Sequence, residues 1–327
     1  MLNFSFHIVG FENLHKMQLI ECLENVHSVM NRFLLVAYEK GQEIIRPGKI
    51  SSTLSLTCTV TIFIVNFSLI LFKFPPFSEM SLAYFGFFLD YIGMLWTLAT
   101  TVGILLINYK TFHEITNEIL SLNHLNKDLR VYELIITITH SFMWIIMFSW
   151  YNINVLKVYK YHTEFVFLFI TKIVASTYNY FVLQKFLHHV RILGYTFHNV
   201  NSKLENIDFI NISLTKNEKW TLKRNVRHLS RFHNSLCNFS LTISQTYSLQ
   251  ILAIIADAVM NVTFHLFFTA YVTQIYERIK MSLHLNLFGI IFTLQVANFY
   301  NVSTFIQIVW FCSRTSKEVR FSFMYLF

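Results

Sequence analysis

Apolar residues along this chain gather into six long runs, at residues 50–72, 82–107, 132–156, 164–183, 249–272 and 285–311, separated by polar segments that alternate in basicity. Each run is long enough to cross the roughly 30 Å hydrocarbon core of a bilayer, for which about 20 helical residues suffice at about 1.5 Å rise per residue. Backbone amides in lipid must be satisfied within their own segment, and the ten-residue alternation of a membrane barrel is absent, so the pattern predicts helices. The expected fold is an all-α polytopic membrane protein with six transmembrane helices. Its parts are an N-terminal cytoplasmic segment (1–49), a transmembrane region (50–311) containing a helical cytoplasmic loop (184–248), and a cytoplasmic C-terminal segment (312–327).

The polar segments carry a helical period of their own. Leu222, Val226, Leu229, Phe232 and Leu236 recur every three or four residues, with Arg224, Arg227 and Arg231 on the other side, as in a helix that runs straight into the fifth span. The second span is expected to continue through Phe112, Ile115, Ile119, Leu122 and Leu125, and the fourth through Lys185 to about Lys203. Residues 206–219 are polar and read as a flexible loop. These projecting helices are expected to pack as a second layer, in preference to lying on the inner leaflet. All three prolines flank the first span, Pro47 before it and Pro75 and Pro76 after it, where a helix should begin and end.

Charge sets the orientation. Residues 1–49, 108–131, 184–248 and 312–327 together hold 20 Lys and Arg, against five in the intervening loops. The positive-inside rule makes the first set cytoplasmic, and with it both termini. The net charge of +8 therefore belongs to loops beside anionic lipid, and no nucleic-acid role is needed. Residues 1–10 lack the basic start and apolar run of a signal peptide. Cys22, Cys58, Cys237 and Cys312 fall in cytoplasmic or membrane positions, where disulfides are not expected. The six Asn-x-Ser/Thr triplets, at Asn3, Asn66, Asn211, Asn238, Asn261 and Asn301, also avoid the external loops and read as chance matches.

Candidate chemistry lies in the spans, because a charge at mid-bilayer costs roughly 2.5 to 3.5 kcal/mol and survives where it faces protein or water. Asp90, Lys172 and Asp257 are such charges, with His140 and His265 as titratable neighbours. Aromatic residues share their depth, among them Tyr91, Trp144, Phe148, Trp150, Phe268 and Tyr271. An aromatic cavity with a few polar groups suits a small organic ligand, and Asp90, Trp144, Lys172 and His265 are the candidate ligand-binding residues. The competing account is interhelical pairing, such as Asp90 with Lys172, plus an interfacial aromatic belt. Gly86, Gly93 and Gly103 read as points of close helix approach. Gln245, Gln250, Gln295, Asn298, Asn301 and Gln307 form a polar stripe that either faces water or bonds helix to helix. No HExxH, GxSxG, Walker loop or Cys-x-x-Cys occurs, so neither an enzyme nor a metal or cofactor site is expected.

Two segments carry a family resemblance. Residues 234–272, NSLCNFSLTISQTYSLQILAIIADAVMNVTFHLFFTAYV, resemble the fifth span of insect gustatory receptors, with a polar lead-in and a closing aromatic pair. NVSTFIQIVWFCSRTSKEVR resembles the family's sixth span and its cytoplasmic exit, where Cys312 and Glu318 match a Cys-x5-Glu element. The rest of the chain is similar in layout. The resemblance implies a multi-pass plasma-membrane receptor of taste neurons, a tastant-gated, non-selective cation channel assembled as a tetramer, alone or with other gustatory-receptor subunits. It also implies a seventh, pore-lining helix with Thr-Tyr and Gln-Phe pairs. That signature does not occur in this sequence, so this form is expected not to conduct by itself. An odorant receptor of the same superfamily and a small-molecule transporter are the alternatives. A rhodopsin-like receptor is disfavoured by the inside N-terminus and by the missing Asp-Arg-Tyr and Asn-Pro-x-x-Tyr.

Overall fold

A computed structural model describes residues 38–40, 43–45, 57, 60–68, 82–107, 111, 114, 115, 118, 127–158, 163–205, 215–279 and 287–326. The described residues are overwhelmingly helical. Five long helices dominate: α1 (Leu82–Ile107), α2 (Lys127–Val158), α3 (Thr163–Glu205), α4 (Lys216–Ile279) and α5 (Leu287–Leu326). A small departure from all-α structure is an antiparallel hairpin, β1 (Tyr38–Lys40) with β2 (Glu43–Ile45), in which Tyr38 pairs with Ile45.

With no proline beyond Pro76, nothing interrupts the intrahelical hydrogen bonds, and the helices run far past the length of the apolar runs inside them. α1 coincides with the second run, and α4 joins the basic amphipathic segment to the fifth run over 64 residues without a break. α3 likewise continues through Lys203 to Glu205. One expectation changes. Residues 216–219, read as loop, form the first turn of α4, whereas 206–214 lie outside the described residues. α5 passes through 311–312 with no break, so the expected C-terminal segment continues the same helix. Of the expected continuation of α1, Ile115 is helical and buried, and Phe112, Ile119, Leu122 and Leu125 lie outside the described residues.

α3 is the hub, packing against α1, α2, α4 and α5, while α4 also packs on α1 and α5. The apolar core follows its C-terminal half: Leu187, Ile192, Leu193 and Phe197 are buried among Leu98 of α1, Phe239, Ile243 and Tyr247 of α4, and Ile308 of α5. Leu229 and Phe232 pack against that core, while Arg224, Arg227 and Arg231 are exposed. The amphipathic stretch of α4 thus turns its apolar face to the core and its arginines outward. Close approach is built in at Gly194, where a Cβ would meet Thr315 Oγ1 at 2.8 Å, and Thr315 Oγ1 donates to the Val190 carbonyl at 3.1 Å.

Among the described residues one helix, Lys219–Tyr271, is long and apolar enough to cross a membrane, and Ile138–Trp150 is a shorter apolar helix.

Candidate functional site

The five helices converge on a cavity enclosing about 940 Å³, open mouth included. Its aromatic wall is built from α2 and α3. Trp144 lies between Phe148 and Tyr180, each ring centroid 4.6 Å away and nearly parallel. Residues 144 and 148 are one helical turn apart, so both rings leave α2 on the same side. Such stacks add roughly 0.5 to 1.5 kcal/mol beyond area burial, which holds the wall in one rotamer set. Met94 of α1, Leu183 of α3, Ile254 of α4 and Val296 of α5 complete the apolar lining.

Polar groups of α4 and α5 also line the cavity. Asp257 accepts from Asn261 Nδ2 at 3.1 Å, one turn along α4. His265, two turns from Asp257, is buried and has Nδ1 2.9 Å from Asn298 Oδ1 of α5. With Asn298 Oδ1 as the acceptor, His265 Nδ1 is the donor of this pair, which ties the ring to α5. Asp257 is held from behind by Gly93: a Cβ there would lie 1.8 Å from Asp257 Oδ1. Only glycine lets α1 pass so close to a carboxylate that faces the cavity.

Beside the cavity runs a hydrogen-bonded chain across three helices. Asn179 Nδ2 donates to Thr97 Oγ1 at 2.5 Å and to the Met94 carbonyl at 3.2 Å. Thr101 Oγ1 lies 3.2 Å from Asn179 Oδ1 and accepts from Gln250 Nε2 at 2.9 Å. Farther along α1, the Tyr91 hydroxyl donates to Asn66 Oδ1. The polar stripe on α4 and α5 therefore bonds helix to helix at Gln250, at Asn298 and at Gln307, whose Nε2 reaches His140 Nδ1 at 3.3 Å. Asn301 faces the cavity, and Gln245 and Gln295 are exposed.

Trp144 and His265, two of the four candidate ligand residues, line this cavity together. Lys172 is buried on α3 at 1% exposure but is not among the lining residues. The Asp90 side chain lies outside the described residues. Asp257 and Asn301 are visible in the sequence as a membrane charge and a stripe member. Ser176, Asn179, Tyr180 and Tyr300 carry no signal of their own, because which turn of α3 or α5 meets Trp144 is decided by packing. Trp150 and Tyr271 point outward instead.

No family model and no curated protein matches this chain. The site must speak through its chemistry. It offers stacked rings, one carboxylate, one imidazole and several amides and hydroxyls, a set that binds and orients a small organic molecule. Among the described residues no group of three or more His, Cys, Asp or Glu could hold a metal ion.

A second buried polar cluster lies farther along α3. Burial lowers the Lys185 ammonium to about 7. Burial, then the charges of Lys185 and His188, hold His189 well below the usual histidine range, and burial pushes the Tyr247 phenol up. A neutral His189 and a protonated Tyr247 fit their contact, in which the Tyr247 hydroxyl lies 3.3 Å from His189 Nδ1. Of the Cys-x5-Glu element, Cys312 is an exposed free thiol. Glu318 reaches back to α3, accepting from Asn201 Nδ2 at 2.8 Å.

Proposed function

We propose that the chain is a multi-pass membrane receptor whose cavity binds a small organic molecule, and that it serves as a tastant-gated cation-channel subunit of the gustatory-receptor type, assembling as a tetramer in the plasma membrane. The observation that carries the membrane part is an inverted distribution of polarity. Phe142 (63% exposed) and Phe299 (70% exposed), together with Leu252, Leu266, Phe267 and Trp310, face outward. Thr97, Thr101, Asn179, Gln250, His265 and Asn298 are buried. A water-soluble bundle would expose the second set and bury the first, whereas in lipid the apolar face is free to point outward and polar groups serve as contacts between helices. In the most apolar window of α4 only 22% of residues are buried inside the protein, leaving the rest for lipid. Six spans and an inside N-terminus follow from the lengths of the runs and the excess of Lys and Arg on one side.

The taste assignment rests on the resemblance of residues 234–272 and 301–320, joined to a cavity with an aromatic and polar lining. Trp144, held between Phe148 and Tyr180, would meet the ligand by its edge, and His265 and Asp257 would meet its polar groups.

Cysteine labelling from outside intact cells tests the topology: single cysteines at residues 77 and 160 should label, and those at 120 and 225 should label only after permeabilisation. A tastant library screened by thermal unfolding of the detergent-purified chain tests the ligand reading. Stabilising compounds should lose their effect in Trp144→Ala and His265→Ala. Recovery of the chain in the soluble fraction after carbonate extraction would refute the membrane reading. Stabilisation that survives both substitutions would refute the site.

A further inference from the structure

A smaller pocket opens between α3 and α5 beyond the ligand cavity, about 430 Å³ with its open mouth included, lined by Arg191, Tyr195, His198, Phe311, Arg314 and Glu318. Thr304 of the cavity and Phe311 of this pocket are seven residues apart on α5, roughly 10 Å by helical rise. The lining carries two guanidinium groups and one carboxylate. The carboxylate is engaged on both oxygens: Glu318 Oε1 lies 3.4 Å from His198 Nδ1, and Oε2 accepts from Asn201 Nδ2 at 2.8 Å.

Both arginines are stacked. The Arg191 guanidinium sits over the Phe311 ring at 5.1 Å, and that of Arg314 over Tyr195 at 5.8 Å. A stacked guanidinium is fixed in plane by the ring and presents its N–H donors edgewise, the geometry that suits paired oxygens of a phosphate or carboxylate. Arg191 is 5% exposed and Arg314 is exposed, so one cation is set deep and the other stands at the rim. The low dielectric around the deep one strengthens its pull on an anion. Gly194 and Thr315, where α3 and α5 approach closely, also line the pocket.

We propose that this pocket is a phosphate-ester site, with Arg191 and Arg314 as the paired donors. Oxygens of one phosphate would meet both guanidinium edges, and the Glu318 carboxylate, tied to His198 and Asn201, would limit the site to a singly placed anionic group. The source of the phosphate is either an anionic lipid headgroup or a soluble phosphate ester. The lipid source rests on the membrane reading above, in which Arg314 follows the last residue of the sixth run by three positions and so lies at the cytoplasmic headgroup level. The pocket itself does not depend on that reading.

The test uses the full chain with three probes: nanodiscs of phosphatidylcholine containing a phosphatidylinositol phosphate, nanodiscs of phosphatidylcholine alone, and inorganic phosphate added to detergent-solubilised protein. Arg314 is exposed and gives up only its stack on Tyr195, so Arg314→Gln should lower the unfolding midpoint without probe only slightly while weakening phosphate-ester binding about tenfold or more, as expected for losing one charge-assisted pair. Glu318→Gln should tighten it. Retention of the inositol lipid without measurable binding of inorganic phosphate assigns the lipid source. Inorganic phosphate binding that Arg314→Gln abolishes assigns a soluble source. Failure to retain the inositol lipid together with failure to bind inorganic phosphate, or retention and binding that Arg314→Gln leaves unaffected, overturns the proposal. Neither outcome bears on whether Trp144 and His265 bind a tastant.

Discussion

Gly93→Ala is the sharpest test of how the cavity is built. The added Cβ would fall 1.8 Å from Asp257 Oδ1 and 2.8 Å from Asp257 Cγ, whereas Asp257 Cβ, at 3.5 Å, is in ordinary contact. The carboxylate must therefore swing away, giving up the 3.1 Å bond from Asn261, or α1 and α4 must separate. Overpacking of this kind costs about 1 to 3 kcal/mol, and losing the hydrogen bond adds about 0.5 to 1.5 kcal/mol. The change from glycine to alanine in a helix returns up to about 1 kcal/mol. The net loss is roughly 0.5 to 4.5 kcal/mol, up to several degrees or more in unfolding midpoint for the purified protein. Gly103, ten residues along the same helix, has nothing within 4 Å of its would-be Cβ, so Gly103→Ala should be neutral or stabilising by up to about 1 kcal/mol. The cause is checked by the double variant. Asp257→Ala removes both clashing atoms, so Gly93→Ala should cost less in that background, with a coupling of about 1 kcal/mol or more. If Gly93→Ala proves as stable as Gly103→Ala, or if the Gly93 and Asp257 effects simply add, the close approach of α1 to Asp257 is refuted.

Three further outcomes are expected. Thr101→Val keeps the side-chain shape but deprives Gln250 Nε2 and Asn179 Oδ1 of their shared hydroxyl; it should cost about 1 to 3 kcal/mol in denaturant or thermal unfolding, and an unchanged midpoint would show that the chain of amides is not a fastening. Trp144→Ala opens the space between Phe148 and Tyr180 and should destabilise by about 3 to 5 kcal/mol, while Trp144→Phe should restore most of it; equal losses for the two would argue against the stack. Lys185 is the pH probe. Burial takes it from its usual 10.5 to about 7, so above about pH 7 the folded chain sheds a proton that the unfolded chain retains up to about 10.5. Stability should therefore rise with pH through that window and be lost as pH falls toward 7. The slope is best read between about pH 7 and 8.5, below the thiol and phenol titrations, and Lys185→Met should flatten it; an identical slope in that variant would remove Lys185 as its source.

The period of apolar residues by itself determines that this chain is helical, where most helix bodies lie and how far the basic segments extend them. Leu222 to Leu236 repeat at helical spacing, and no proline stands between them and the fifth run, so a single continuous α4 is legible in the order of residues alone. Even its buried face is legible there: Arg224, Arg227 and Arg231 are outward and Leu236 is inward. Local spacing also singles out Trp144, His265 and Asp257 as unusual for their surroundings. It cannot say which of them meet. Lys172 satisfies the same criteria as His265 yet does not join the cavity lining, because whether a residue faces the cavity depends on how α3 is rotated against α2 and α5. Asn179 and Tyr180 enter the site for the converse reason: their side chains are ordinary, and their place beside Thr97 and Trp144 comes from contacts 36 or more residues distant in sequence. Periodicity is fixed by covalent geometry and neighbours within a turn or two, whereas a site drawn from five helices is fixed by their packing, where Gly93 and Gly194 set the distances.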